Sequence, residues 1–109
     1  MTRGPTTEKG LVNAMMRGIR EEYPDVWLIK VHGGPYQEAG VPDLIGCVRG
    51  RMFAIEAKLR RPGESAPAAR ARTSTRQRVQ IERLLAAGAS AGVALSVEEA
   101  LGIVRQALR

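Results

Sequence analysis

Apolar residues recur at helical spacing near the start of the chain. Leu11, Val12, Met15, Met16 and Ile19 share one side of a helix predicted from Thr7 to Glu22, which Pro24 ends. Val26 to His32 is a short run dense in β-formers, hence a strand. Gly33-Gly34-Pro35 and Gly40-Val41-Pro42 bracket a loop. Asp43–Val48 and Met52–Lys58 read as two strands joined by a tight turn at Arg49-Gly50-Arg51. After Leu59 no bulky apolar side chain appears until beyond Thr73, so residues 59–73 are expected to form a flexible basic loop. Ser74-x-x-Gln77 is a capping box that opens a helix bearing Ile81, Leu84 and Leu85, which Gly88 closes. Ala91–Leu95 is a further strand. Ser96-x-x-Glu99 caps a last helix with Val97, Ala100, Leu101, Val104 and Leu108 on one face. The order α-β-β-β-α-β-α predicts an α/β fold, a mixed sheet of about four strands flanked by helices, in one domain over residues 1–109.

Strand alternation turns three charged residues into a candidate site. Glu56 and Lys58 point to one side of their strand, while Phe53, Ile55 and Ala57 point to the core. A two-residue turn at Arg49-Gly50 sets Asp43 opposite Glu56, and a turn at Gly50-Arg51 sets it opposite Lys58. Either register gathers all three on one face, whereas a one-residue slip separates them. Two carboxylates supply hard oxygen ligands for Mg²⁺, which keeps waters and takes a phosphate oxygen beside them. An ion so held polarises a phosphoryl group, and Lys58 can orient or deprotonate a water or offset transition-state charge. The ordinary alternative is a cross-strand salt bridge. Glu8, three and four residues before Leu11 and Val12, is placed on the inward face of its helix, or else serves as a first-turn charge at the helix dipole. Gln77 begins an inward face too, or serves only the capping box.

Charge and composition sharpen this without deciding it. Seventeen Lys and Arg against eleven Asp and Glu give a formal net charge of +6. The cations are mostly Arg, whose planar fork suits phosphate. The single cysteine excludes an internal disulfide and, with no signal-like or membrane-length apolar run, points to a soluble cytoplasmic protein. A thiol hydrolase built on Cys47 and His32 lacks a third orienting group. An RNA-stacking protein lacks a platform, because Tyr23, Trp27, Tyr36 and Phe53 are scattered along the chain.

Glu8, Gly40-Val41-Pro42-Asp43, Ile55-Glu56-Ala57-Lys58, Gln77, and Ala87-Gly88 followed by Ser96-Val97-Glu98-Glu99-Ala100 occur here in an order and spacing that spans nearly the whole chain. In this pattern the sequence resembles the VRR-NUC family of the PD-(D/E)xK nuclease superfamily, in its compact single-domain phage and bacterial form. The resemblance implies a restriction-endonuclease-like core. It implies a metal-dependent endonuclease with Mg²⁺ or Mn²⁺ held by Asp43, Glu56 and the Ala57 carbonyl, Glu8 as a further candidate ligand, and Lys58 catalytic. Glu8 and Gln77 would support the active site. Compact members also look like archaeal Holliday-junction resolvases, which implies a homodimer acting on branched DNA in a bacterial or phage-infected cell. The rival within the same fold is a module that binds branched DNA without cutting it. Arg60, Arg61, Arg70 and Arg72 follow no family pattern. They are expected to grip the DNA backbone, and Val12, Met16, Val79 and Ile103 are apolar positions to spare for a partner.

Overall fold

A computed structural model describes residues 4–35 and 38–109. Thr7 caps α1 (Glu8–Glu22), its side chain accepting from the Gly10 N–H. Three strands follow, β1 (Trp27–Lys30), β2 (Leu44–Val48) and β3 (Arg51–Ala57). Then come α2 (Ala66–Ala71), α3 (Thr75–Ala86), β4 (Ser90–Ala94) and α4 (Val97–Ala107). The sheet runs β1-β2-β3-β4, antiparallel in its first two pairings and parallel between β3 and β4. The parallel pairing demands a crossover, which α2 and α3 provide.

The predicted order therefore holds, with α2 added inside the segment expected to be a loop. Its sequence, Ala-Pro-Ala-Ala-Arg-Ala, has no large apolar residue to betray a helix. Ser65 caps it, a proline stands in its first turn, and Ala69 alone is buried. Around it the chain is held by Glu64. That carboxylate takes two bonds from the Arg72 guanidinium at 3.0 Å and one from the Arg61 N–H, while Arg72 also reaches the Leu59 carbonyl. Polar bonds thus order a stretch that hydrophobicity could not.

The core lies on one face of the sheet. Leu44, Val48, Phe53 and Ile55 meet Leu11, Val12, Met15 and Ile19 of α1 and Ala100, Leu101 and Val104 of α4. Gly46 lies under the Phe53 ring, where a Cβ would collide with it, so the ring fills the place of the missing side chain. Val12, Met16 and Ile103, expected to be spare for a partner, belong to this core or pack against it; of that group only Val79 is exposed. On the opposite face α3 covers β3 and β4. Trp27, Ile29 and Met52 remain exposed there, beside half-buried Ile45 and Cys47.

An arginine engages one outward carbonyl at each sheet edge. The Val31 N–H donates to Asp43, so alternation turns the Leu28 carbonyl outward, and Arg20 donates to it. At the other edge Lys58 N–H donates to Ala94, which turns Val93 outward, and Arg70 donates to its carbonyl. Each cation occupies an acceptor that would otherwise invite another strand.

Candidate active site

The hairpin decides the geometry. Arg49 and Gly50 both have positive φ, 51° and 76°, so they form a two-residue turn whose twist suits the flanking strands. The register runs from Val48↔Arg51 to Leu44↔Ile55, and one step further sets Asp43 opposite Glu56. Of the two registers open from sequence, this is the one with the turn at Arg49-Gly50. Lys58 stands two residues beyond Glu56 on the same face, its N–H paired to the Ala94 carbonyl across the parallel strand.

Each acidic side chain is fixed by a different element. Asp43, just behind buried Pro42, accepts the Ala57 N–H through Oδ2 at 2.9 Å, which ties it to β3. Glu56 is only 2% exposed, and Gln77 Nε2 donates to its Oε1 and Oε2 at 3.1 and 3.3 Å. The same Gln77 closes the capping box of α3, its Oε1 accepting from the Ser74 N–H. The two roles weighed for Gln77 are thus performed at once by the two ends of one amide. The Gly40 φ of +83° lets the loop before β2 press on α3. A Cβ there would come within 2.5 Å of the Arg76 backbone, so only glycine permits this approach. A cleft of about 320 Å³ results, lined by Val31, Gly34, Gly40, Asp43, Glu56 and Gln77 among others.

Burial pushes the Glu56 carboxyl up to about 8, aided by the charge and hydrogen bond of Asp43 and the charge of Glu8, while Lys58 pulls it down. Two adjoining carboxylates, one of them withdrawn from water, hold a proton at neutral pH unless a stronger cation replaces it. That chemistry fits a divalent metal. Asp43, Glu56 and the Ala57 carbonyl would hold it. Among the described residues no three of His, Cys, Asp and Glu come close enough to share an ion. A cation here would therefore complete its shell with water and phosphate oxygens, as Mg²⁺ prefers.

No family model matches the sequence, and no curated protein matches it significantly. A solved structure described as a "VRR_NUC domain" does match, covering 85% of this chain and 92% of its own, with a TM-score of 0.55 and 19% identity. The chain has the fold of that VRR_NUC domain. Within that fold, the mixed sheet and its flanking helices put Asp43 and Glu56 on adjacent strand ends, with Lys58 following Glu56.

Other sequence candidates are placed less centrally. Glu8 is exposed in the first turn of α1, the second of the two places open to it from sequence, and its charge reaches Glu56. Arg72 is bound by Glu64, and Arg70 by Glu99 at 2.6 Å. Arg60 donates to the Glu64 carbonyl, and exposed Arg61 has no side-chain bond among the described residues. His32, just past the end of β1, and Cys47, opposite Trp27 at its start, lie at opposite ends of the β1–β2 pair, which leaves no thiol–imidazole couple. Arg76, exposed in the first turn of α3 beside Gln77, escaped the sequence reading. Its adjacency to a site residue was the available signal. Among the described residues no helix is long and apolar enough to cross a membrane.

Proposed function

We propose that this protein is a metal-dependent endonuclease that hydrolyses DNA phosphodiesters. The observation that carries the reading is the buried Glu56 carboxylate beside Asp43, oriented by Gln77 and followed by Lys58. A buried carboxylate set against a second, half-buried one costs stability unless something binds them, and a divalent cation is the partner their oxygens suit. Bound there, Mg²⁺ or Mn²⁺ would supply Lewis-acid polarisation of the scissile phosphoryl group. Asp43 and Glu56 anchor the reacting phosphate's neighbourhood, and the Asp43 bond to Ala57 keeps the two strand ends in register. Gln77 holds the Glu56 carboxylate in one rotamer. Lys58 orients the attacking water and offsets the charge that builds on the phosphoryl oxygens. Exposed Arg76, one residue before Gln77, and exposed Arg61, three residues after Lys58, meet the flanking phosphates in this proposal.

Selectivity for branched DNA such as four-way junctions, and a two-fold homodimer to make paired cuts, extend the same proposal. Digestion of linear duplex, single-strand, flap and four-way DNA, with Mg²⁺ or Mn²⁺ and with chelator, tests the activity and its preference together. Metal-dependent nicking is the expected result. Tight binding to a junction without any cutting would make the protein a binding module of the same fold. Sedimentation at micromolar concentration tests the dimer, and a monomer both free and on a junction would remove the paired-cut reading.

A further inference from the structure

The face that carries the carboxylates continues past them. In the sheet, the row holding Asp43 and Glu56 is followed by the row Ile29, Ile45 and Ala54, then by Trp27, Cys47 and Met52. All share one side, because they are separated by two and four residues along the strands. At about 3.3 Å per residue, Trp27 lies about 13 Å from the carboxylate row, roughly four base steps at the duplex rise of about 3.4 Å. These two rows contain no charged side chain. Trp27 is 58% exposed, and Ile29 and Met52 are exposed with it. α3 occupies this side of the sheet over β3 and β4, so the open continuation from the site runs over β2 and β1.

Taking the nuclease reading as its premise, we infer that this exposed sheet face is a stacking platform for the unpaired bases of a single-stranded DNA segment leaving the active site, with Trp27 as the contact residue. Duplex DNA meets proteins with its phosphates and groove edges, and an uncharged apolar surface offers these little. An unpaired base has a free π-face, which an indole can cover irrespective of sequence. Exposed Arg49 stands at the hairpin beyond the Trp27 row, its guanidinium on Asp25 in a surface pair open to exchange with a passing phosphate. A segment lying here is continuous with one whose phosphate sits at Asp43 and Glu56. The substrate class that results is DNA with a single-stranded branch or flap.

Trp27 is the only tryptophan of the chain, so its fluorescence reports on this face alone. The protein is titrated with a short oligothymidylate in EDTA, which prevents cutting, and in parallel with linear duplex. Saturable quenching by the single strand is expected, with much less from duplex. Trp27→Ala should weaken single-strand affinity roughly 5- to 100-fold, Trp27→Phe should keep most of it, and Leu85→Ala, exposed on α3, should keep all of it. Truncating so exposed a ring leaves no cavity in the core. Emission that ignores the single strand, or Trp27→Ala binding as tightly as wild type, overturns the inference. So does emission that changes with protein concentration without DNA, which would mean that a second copy covers the face. Duplex cleavage by the wild type, assayed separately with Mg²⁺, distinguishes the premise: cutting without a Trp27 response defeats the platform alone.

Discussion

The two faces of the sheet put the same strands to different uses. On one, Phe53, Ile55, Leu44 and Val48 are sealed under α1 and α4. On the other, α3 covers only half, and there the same strands present a buried acid, a lysine and an open apolar surface. Alternation makes this possible, since consecutive residues of β3 serve opposite sides. Stability is concentrated on the closed face, which leaves the other free to hold groups that do not favour folding. Glu56 is the clearest of these, a carboxyl withdrawn from water and placed against another.

The sharpest way to break the comparison is within β3 itself. Phe53 is 0% exposed and its neighbour Met52 42%. Phe53→Ala should cost about 3–5 kcal/mol, and Met52→Ala under about 0.5 kcal/mol, by denaturant unfolding. Similar losses at both sites would mean that the open face is also packed. Lys58→Met addresses chemistry instead. It should lower the single-turnover rate by roughly two orders of magnitude or more, about 2.7 kcal/mol, with affinity barely changed. Loss of affinity with the rate intact would make Lys58 a ground-state phosphate ligand.

Smaller effects are expected at the arginines. Arg61→Gln with Arg76→Gln should flatten the log K against log salt slope by about 2, since each phosphate left unneutralised lowers it by about 0.9. Arg70→Gln should leave the slope unchanged, because that side chain engages the Val93 carbonyl at the β4 edge. The smallest effect is a pH dependence. The Arg72 and Arg61 bonds hold Glu64 down at about 2, below its ordinary value of 4.5. The contribution of that pairing is present above the ordinary carboxylate range and is lost as pH falls towards 2. Following the Glu64 carboxyl by NMR should show the low titration in wild type and an ordinary one in Arg72→Gln.

The fold was legible wherever side-chain pattern recorded it. Thr7, Ser74 and Ser96 mark helix starts, the alternation of β3 marks its two faces, and Arg49-Gly50-Arg51 marks a tight turn, though which of its residues form the turn, and so the register, is seen only in the structure. What escaped was encoded in polar contacts between distant residues. Nothing local announces that Glu64 will gather Arg72 and the Arg61 N–H, so α2 and its surroundings read as a loop. Nothing local announces that Arg70 will meet Glu99 and Val93. Helical periodicity left two places for Glu8, and the exposed first-turn position is the one observed, with its charge still reaching Glu56. The scattered aromatics concealed that Trp27 shares a face with Asp43, which only the register reveals.

The central claim is that the Asp43–Glu56 pair exists to bind a cation at a cost to the metal-free fold. Glu56→Gln tests both halves in one preparation. With its carboxyl raised to about 8, Glu56 makes the metal-free wild type lose stability as pH rises from about 4.5 through 8. At pH 8 without metal, Glu56→Gln should therefore melt several degrees higher, on the order of 1–2 kcal/mol. Mg²⁺ should raise the melting temperature of the wild type but not of the variant, and the variant should not cut DNA. A variant that is less stable without metal, or that still cuts, would contradict the account.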